Sequence, residues 1–239
     1  MARIFVTGSA DGLGKLAAQT LLSQGHQVVV HVRSKERLGA VKGLGEAVVG
    51  DLGDLEQTRK LAEQLNALGT MDAVIHNAGV YDSAAVLAVN VTAPYALTAL
   101  MHRPKRLVYL SSGMHNGGRA VLDGMDWSGR RATGSYSDSK LFISTFAAAL
   151  AMRWPGVLSN SVNPGWVPTK MGGKNAPDDL RLGHLTQEWL ATSDDAEART
   201  SGGYWHHQRR VPAHPSVTDA AFQARLLEAL ERATDIALP

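Results

Sequence analysis

The sequence predicts an α/β fold: an open, mostly parallel β-sheet that is doubly wound, with helices on both faces. Short runs rich in β-branched residues alternate with amphipathic helical runs, which is typical of parallel sheets. The alternation continues from end to end with no repeat, proline-rich linker or change of composition. Because 239 residues is the length of one α/β domain, we expect a single domain over residues 1–239.

The sheet is expected to contain about seven strands. They cover residues 3–7, 27–32, 46–50, 72–76, 106–111, 157–163 and about 203–206. The helical runs cover residues 12–23, 55–68, 84–100, 135–154 and about 178–191. A closing amphipathic helix is expected at about 217–233, with apolar side chains spaced to face the domain.

The composition excludes several classes of function. The 24 basic and 22 acidic residues are scattered, so there is no basic stripe for a nucleic-acid backbone. The absence of cysteine excludes disulfides, thiolate sites and zinc ribbons. The N-terminal apolar run is too short for an export signal, and the longest low-charge run, 141–152, is too short to cross a bilayer. We therefore expect a cytoplasmic protein with no membrane insertion and no nucleic-acid partner.

A metal site is not expected either. His206, His207 and His214 lie close together in sequence, but the first two are adjacent on a predicted strand and would face opposite sides of the sheet. No carboxylate near them has the spacing of a metal ligand.

A glycine-rich turn follows the first predicted strand directly and opens the first helix. It covers residues 7–14 with the sequence TGSADGLG. Such glycines let the backbone approach a pyrophosphate at the positive end of a helix, so a dinucleotide is expected here, as in a Rossmann-type sheet. The residues expected to bind it are Gly8, Ser9, Asp11, Gly12, Leu13 and Gly14.

The end of the second strand indicates which dinucleotide is preferred. A carboxylate there would bind the ribose 2′-hydroxyl, whereas a guanidinium accommodates a 2′-phosphate. The chain has Arg33 and Ser34 at this point, with Lys35 close behind. The sequence therefore favours NADP(H), and NAD(H) is left open because Asp11 adds a negative charge nearby.

Tyr136 and Lys140 are four residues apart at the start of the longest apolar helical run, so both side chains emerge from one helix face. A neighbouring ammonium favours the phenolate and is expected to lower the pKa of Tyr136. Such a tyrosine can protonate a carbonyl or deprotonate an alcohol. The same pair also occurs on solvated helix faces, so this spacing alone does not decide between the two interpretations.

Six motifs at strand ends together resemble the short-chain dehydrogenase/reductase family, over almost the whole chain. They are the glycine turn, Asp51-Leu52, His76-Asn77-Ala78-Gly79, Ser111-Ser112, the Tyr136–Lys140 pair and Asn163-Pro164-Gly165. The stretch between Ser112 and Tyr136, together with the run YSDSKL, is most similar to the retinol-dehydrogenase-like branch. The resemblance implies an oxidoreductase that transfers hydride between a nicotinamide and a carbonyl or alcohol.

The resemblance also implies roles for individual residues. Tyr136 would be the acid/base, Lys140 would lower its pKa and bind the nicotinamide ribose, Ser112 would steady the substrate oxygen, and Asn90 would hold a water in a proton relay. The adenosine half of the cofactor would contact Asp51, Leu52, Asn77, Ala78 and Gly79, and the nicotinamide half would contact Pro164, Gly165, Val167 and Thr169.

Two departures from the family pattern lie between the fourth strand and the following helix. Only ten residues separate Gly79 from Asn90, fewer than relatives have. The helix that follows the fourth strand, which is the fourth helix of the family pattern, and the loop before it should therefore be short. Because that helix commonly packs between subunits in the family, we expect a monomer or a homodimer instead of the usual tetramer. His76 stands where the family has Asn, and this exchange is expected to affect local hydrogen bonding more than chemistry; the alternative is a pH-sensitive contact of its imidazole near the cofactor.

Two variable stretches are expected to select the substrate. Residues 115–131, which contain Met125 and Trp127, would form one wall of the pocket. Residues 166–192, which contain Met171 and a Gly-Gly pair, have the character of a lid over cofactor and substrate. Their Trp and Met content favours an apolar small-molecule substrate.

Two other functions fit the same fold. The alternative to an enzyme is a non-catalytic NADP(H)-binding sensor or regulatory protein, but such proteins often lose the Tyr or the Lys, and this chain has both. A sugar-nucleotide epimerase or dehydratase usually has a larger C-terminal substrate region than 239 residues provide. The sequence therefore favours the oxidoreductase.

Overall fold

The protein folds around one eight-stranded sheet in a computed structural model that describes residues 1–239. The strands are β1 (Arg3–Val6), β2 (Gln27–Val32), β3 (Glu46–Val49), β4 (Ala73–His76), β5 (Arg106–Leu110), β6 (Leu158–Asn163), β7 (Tyr204–His206) and β8 (Arg209–Arg210). The helices are α1 (Gly12–Ser23), α2 (Leu55–Ala67), α3 (Ala93–Leu100), α4 (Tyr136–Arg153), α5 (Leu180–Thr192) and α6 (Ala220–Thr234). The predicted α/β fold is confirmed, with one strand more than expected.

The strand order places an open crevice at one edge of the sheet. Across the sheet the order is β3-β2-β1-β4-β5-β6-β7-β8, and all neighbours are parallel except β8, which is antiparallel to β7. The chain builds outward from β1 to β3 and then returns to the other side of β1 with β4. Open α/β sheets bind ligands at such a reversal, outside the carboxyl ends of the strands.

The strand that the sequence did not predict, β8, forms a tight hairpin with β7. His207 and Gln208 make the two-residue turn, both in the left-handed region with φ of 47° and 59°, as the favoured hairpin turns require. The sequence lacks the Asn-Gly or Asp-Gly signal of such a turn. The expectation that His206 and His207 face opposite sides is wrong, because the turn stacks their rings with centroids 3.8 Å apart. No group of three or more metal-binding side chains forms here or elsewhere in the structure.

Two apolar layers cover the sheet, as the period-two alternation of β1 shows. Phe5 faces the layer of α2, α3, α4 and α6, while Ile4 and Val6 face the layer of α1 and α5. All three side chains are completely buried. No helix is long and apolar enough to cross a membrane.

α6 and the residues that follow it cover the outer face of α3 and α4. The Phe222 ring packs against Phe142, with centroids 6.1 Å apart. The Tyr95 hydroxyl donates to the carbonyl of Ile236 at 2.7 Å, and the Trp154 indole donates to the carbonyl of Pro239 at 2.6 Å. The segment predicted to close the domain therefore lies on α4 and on α3, which belongs to the one helix that the family resemblance places between subunits.

The helix predicted at residues 84–100 is divided into two parts. Ala88–Thr92 form a π-helical turn, and only then does the regular α3 begin. Asn90 lies in this turn, and its side chain accepts from the N–H of Val80 at 2.9 Å and donates to the Val80 carbonyl at 3.0 Å. A widened turn of this kind is often found at functional sites.

The lid predicted at residues 166–192 consists of two different parts. α5 packs against α1, β4 and β5 and so belongs to the framework. Its Gly183 is so close to Val167 that an added Cβ would lie 2.8 Å from the valine Cγ1. Only the loop between β6 and α5 remains to pass over the strand ends, and it includes Thr169, Lys170 and Met171.

Candidate active site

A cavity of about 460 Å³ opens at the carboxyl ends of β1, β2, β4 and β5. It extends from the glycine turn to Tyr136 and Lys140. The predicted site residues that line it are Gly8, Asp11, Gly12, Leu13, Arg33, Asp51, Leu52, Asn77, Ala78, Gly79, Tyr136, Lys140, Pro164 and Thr169. The fold therefore gathers into one cavity residues distributed from the first strand to the loop after the sixth.

The glycine turn is held by close backbone packing. Gly8 is in the left-handed region with φ of 66°, and an added Cβ there would lie 3.0 Å from the Ala78 Cα. An added Cβ at Gly14 would lie 2.3 Å from Asn77 Nδ2 and 2.5 Å from the Gly8 carbonyl oxygen. Asn77 Nδ2 donates to the carbonyl of Thr7 at 2.9 Å. This packing leaves no space for a side chain inside the turn.

The remaining predicted cofactor residues do not line the cavity; they are Ser9, Gly14, Ser34, Gly165 and Val167. The Ser9 N–H donates to the carbonyl of His31 at 3.0 Å, and its hydroxyl donates to the carbonyl of Val6 at 2.6 Å. The Ser9 side chain thus braces the turn from behind. Gly165 has a φ of 84°, and the Asp178 carboxylate packs against its α-carbon.

His31 is a cavity residue whose role was not recognised in the sequence. Its Nδ1 accepts from the N–H of Gly8 at 3.1 Å, and its Nε2 bonds to the carbonyl of Gly50 at 2.7 Å. Since Nδ1 accepts, Nε2 carries the proton, and the ring is neutral. Burial lowers the pKa of His31, which favours this neutral form. His31 therefore ties the glycine turn to the residues after β3.

The adenosine end of the cavity carries more positive charge than the sequence analysis recognised. Arg33 is exposed on the cavity wall. Arg37 and Lys170 also line the cavity, and both pair with the Asp11 carboxylate, at 3.2 Å and 2.9 Å. The Lys170 hydrogen bond is the largest cause of the lowered pKa of Asp11. Arg37 lies in the short 3₁₀ helix, Lys35–Val41, just after Arg33 and could have been identified from this nearness in sequence, whereas Lys170 is distant in sequence.

Tyr136 begins α4, and an N-terminal capping box fixes its first turn. Burial raises the pKa of Tyr136 to about 12, and the neighbouring Ser112 hydroxyl opposes this rise. Lys140 Nζ lies 5.3 Å from the centroid of the Tyr136 ring and donates to the Leu110 carbonyl at 2.7 Å. Burial lowers the pKa of Lys140 to about 8. The predicted lowering of the Tyr136 pKa by Lys140 is therefore wrong for the protein without cofactor.

Asn90 is connected to the first turn of α4 through Ser139. Asn90 Nδ2 donates to Ser139 Oγ at 3.0 Å, and Ser139 Oγ donates to the Tyr136 carbonyl at 2.7 Å. An added Cβ at Gly79 would lie 3.3 Å from Asn90 Oδ1 and 3.5 Å from Lys140 Nζ. The side chains of Asn90 and Lys140 thus converge beside Gly79, close to the turn that carries Tyr136.

Ser112 is held in place by the short helical turn that follows it. Its Oγ accepts from the N–H of Met114 at 3.2 Å, which leaves the serine proton available to donate. His115 is completely buried, its Nδ1 donates to the Ser112 carbonyl at 2.9 Å, and its Nε2 accepts from the N–H of His214 at 3.0 Å. The residue thus links Ser112 to the C-terminal part of the chain, a role that the sequence analysis did not recognise.

His76 makes local contacts, as the first of the two interpretations predicted, and not the pH-sensitive contact of the alternative. Its ring stacks on Tyr109 with centroids 4.7 Å apart and planes within 6°, and Nε2 bonds to the Thr98 hydroxyl at 3.2 Å. The residue is buried outside the cavity, and burial lowers its pKa to about 3. It therefore remains neutral at physiological pH.

The residues present fit a nicotinamide dinucleotide. The glycine cradle at one end exposes backbone where a Cβ would collide, as close approach of a pyrophosphate requires. Two guanidinium groups lie beside it, on Arg33 and Arg37, and the phenol of Tyr136 lies at the other end. The cavity thus provides an anion-binding end and a proton-transferring end.

Comparison with known proteins supports this interpretation. A family model described as short chain dehydrogenase matches residues 2–180. A protein of Emericella nidulans, named as an uncharacterized oxidoreductase, is 39% identical over 100% of this chain and 99% of its own length. A Streptomyces protein provisionally named daunorubicin C-13 ketoreductase DnrU is 32% identical over 95% of this chain and 90% of its own length. Human retinol dehydrogenase 13 is 29% identical over 71% of this chain and 60% of its own length.

The fold and the site define an oxidoreductase that binds NAD(P). The chain belongs to the short-chain dehydrogenase/reductase family, and the similarity to retinol dehydrogenase 13 confirms the predicted branch. The crystal structure of an uncharacterized protein from Mycobacterium paratuberculosis has the same fold. It superposes with a TM-score of 0.84 at 23% identity and covers 100% of this chain and 95% of that one.

Proposed function

We propose that the protein is an NADP(H)-dependent oxidoreductase that interconverts an apolar carbonyl compound and its alcohol, with Tyr136 as the acid/base. One observation carries the proposal: the Tyr136 phenol lies at the end of the cavity whose other end is the glycine cradle. A carbonyl placed there would lie next to the nicotinamide end of a bound dinucleotide.

Tyr136 and Ser112 have different roles in the proposed proton transfer. The bound nicotinamide supplies or accepts the hydride. Tyr136 and Ser112 donate hydrogen bonds to the carbonyl oxygen, and Tyr136 transfers its proton as negative charge develops there. Because the Ser112 hydroxyl already accepts from the Met114 N–H, it is oriented to donate.

Lys140 and Asn90 are assigned to the ionisation of Tyr136 and to its proton exchange with solvent. In the protein without cofactor, Lys140 Nζ is held by the Leu110 carbonyl, close to the cavity. We propose that the nicotinamide ribose becomes a further partner of this ammonium, which then favours the Tyr136 phenolate. Asn90 and Lys140 converge beside Gly79, and together they would connect Tyr136 to solvent through water.

The preference for NADP(H) rests on Arg33 and Arg37. Both guanidinium groups line the adenosine end of the cavity, where a 2′-phosphate would lie. The nearby Asp11 is already paired with Arg37 and Lys170, so its charge is balanced by the chain itself. The remaining cofactor contacts are proposed as the sequence predicted them, with Ser9 reassigned to bracing the turn.

For the oligomeric state, the covering of α3 and α4 by the C-terminal residues favours the monomer over the homodimer.

The test compares Tyr136→Phe with the parent protein. Oxidation of NADPH is followed in its absorbance band with a panel of ketones and aldehydes, and NADPH binding is measured by titration calorimetry. We expect kcat to fall by about 10³-fold in the variant, within the usual range for loss of a general acid, with little change in NADPH affinity. Tyr95→Phe is the matched control because its hydroxyl bonds to the Ile236 carbonyl away from the cavity. If no compound oxidises NADPH and Tyr136→Phe binds NADPH like the parent, the sensor alternative replaces this proposal. If Tyr136→Phe reduces carbonyls as fast as the parent, Tyr136 is not the acid/base.

A further inference from the structure

Tyr81 is an aromatic residue beside Tyr136 to which neither the motifs nor the proposed chemistry gives a role. It follows β4 in the short loop before the π-helical turn at Ala88–Thr92. Its ring centroid lies 4.8 Å from that of Tyr136, with the two planes at 47°. The side chain nevertheless remains 51% exposed. A half-exposed aromatic ring thus lies directly beside the tyrosine that is proposed to bind the substrate.

Two exposed methionines lie next to the hydroxyls of Tyr136 and Ser112. Met171 Sδ lies 4.0 Å from the Tyr136 hydroxyl, and Met171 is 49% exposed. Met114 is 44% exposed and donates its N–H to Ser112 Oγ. Each hydroxyl proposed to bind the carbonyl oxygen therefore has an exposed thioether residue as its neighbour. Clusters of exposed apolar side chains on soluble proteins usually mark a binding surface.

We propose that the substrate is an aryl carbonyl compound, in which the carbonyl carbon is attached directly to an aromatic ring that packs against Tyr81. This inference rests on the proposed function, since it uses Tyr136 to position the carbonyl oxygen. Aromatic rings attract each other in tilted or offset geometry at centroid distances of about 4.5–7 Å. Thioethers also make favourable contacts with aromatic rings and adapt to their shape.

The short distance between Tyr81 and Tyr136 determines where the aromatic ring must be. The two tyrosine centroids are 4.8 Å apart, so the Tyr81 ring lies beside the phenol to which the carbonyl oxygen is proposed to bond. A ring bonded directly to the carbonyl carbon can then contact Tyr81 and Met171 together. A ring at the end of a flexible chain would pass beyond them, so the geometry favours conjugated aryl ketones and aldehydes.

The experiment uses a matched pair of ketones, acetophenone and cyclohexyl methyl ketone, which have similar size and differ in aromaticity. Their kcat/KM values with NADPH are measured for the parent, Tyr81→Leu and Tyr81→Phe. The ratio between the two ketones is then compared across the proteins, so that differences in intrinsic reactivity cancel. We expect Tyr81→Leu to lower the ratio of acetophenone to cyclohexyl methyl ketone by about tenfold, the equivalent of losing one aromatic contact. Tyr81→Phe keeps the ring and should leave the ratio within about twofold.

Controls separate this inference from the function on which it rests. Met152→Leu changes an exposed side chain on the last turns of α4 and should not alter the ratio. Thermal melting should show all variants folded, since Tyr81 is half exposed. If both ketones are reduced and Tyr81→Leu leaves the ratio unchanged, the aryl class is wrong while the oxidoreductase stands. If neither ketone nor any compound of the wider panel oxidises NADPH, the proposed function fails and this inference with it.

Discussion

The two ends of the cavity are built in different ways. At the cofactor end, the glycine turn, Asn77 and His31 fix one another through hydrogen bonds and close packing. At the substrate end, Met171 lines the cavity, Tyr81 packs on Tyr136, and the N–H of Met114 donates to Ser112; all three side chains are about half exposed. The first end can accept only one shape, whereas the second can adapt to a ligand.

This difference explains how one fold can keep its cofactor and change its substrate. Backbone that is held from several sides tolerates few substitutions, because any added atom collides. Exposed side chains on loops can be exchanged without disturbing the sheet. Substitutions should therefore act on cofactor binding at one end and on substrate preference at the other, and the following variants test that separation.

The largest effect in this set is expected for Gly14→Ala. The added Cβ would lie 2.3 Å from Asn77 Nδ2 and 2.5 Å from the Gly8 carbonyl, so the turn must shift. Overpacking of this kind costs about 1–3 kcal/mol. We expect the NADPH dissociation constant to rise by about 10- to 100-fold, measured by calorimetry, with a lower melting temperature.

Gly156→Ala is the matched control for this variant. Nothing lies within 4 Å of an added Cβ at Gly156, which is beyond the end of α4. Its NADPH affinity should equal that of the parent. Unchanged affinity in Gly14→Ala would mean that the turn is adaptable, and the contrast between the two ends would then be wrong.

A smaller effect is expected for Arg33→Asp at the same end. Replacing the guanidinium by a carboxylate removes a partner of the 2′-phosphate and offers one to a ribose 2′-hydroxyl. The ratio of NADPH to NADH dissociation constants should rise by about tenfold or more, because about 1.4 kcal/mol is enough for a tenfold change.

The control for Arg33→Asp is the ratio of kcat/KM for acetophenone to kcat/KM for cyclohexyl methyl ketone. This ratio should be the same in Arg33→Asp as in the parent with either cofactor, since Tyr81 is part of the substrate end. Equal relative affinities for NADPH and NADH in parent and variant would remove Arg33 from the cofactor argument. A changed ketone ratio would show that the two ends are coupled.

The sequence predicted the fold correctly, and most of the residues that it predicted to bind the cofactor line one cavity. Strand periodicity gave the sheet, and the glycine turn after β1 together with the residues after β3 and β4 lies along one cavity. These features follow from local patterns, because carboxyl ends of parallel strands must meet at one edge. Arg37 lies in the short 3₁₀ helix, Lys35–Val41, that follows Arg33, and its nearness in sequence could have been used in the same way.

The substrate end could not be predicted because it depends on contacts between distant segments. Tyr81 meets Tyr136, Met171 meets Tyr136, and His115 meets the backbone of His214. No local pattern gives these pairs. Ionisation also depends on burial, and for this reason the lowered pKa expected for Tyr136 was wrong in the protein without cofactor.

The smallest effect in the set is expected for Lys140→Met in the protein without cofactor. This variant should be more stable than the parent, whereas Gly14→Ala should be less stable. Burial lowers the pKa of Lys140 from 10.5 to about 8, so at pH 7 the folded protein carries a buried charge. This lowering of the pKa corresponds to a destabilisation of the folded protein by roughly 3 kcal/mol at most. Removing the ammonium relieves it but leaves the Leu110 carbonyl without its partner, which offsets about 1 kcal/mol of the gain. The variant should therefore melt about 4–8 °C higher than the parent at pH 7, although it loses activity.

The pH dependence of the melting temperature tests whether the buried charge of Lys140 causes this effect. Between about pH 8 and 10.5 the unfolded chain binds more protons at Lys140 than the folded protein does, so the parent gains stability as the pH rises. The advantage of Lys140→Met should accordingly be largest at pH 7 and shrink towards pH 10. Lys105→Met, at a side chain that is 81% exposed and paired with Asp72, should show no such trend. A melting temperature below that of the parent at pH 7 would show that Lys140 stabilises the site it serves, and the substrate end would then be as firmly held as the cofactor end.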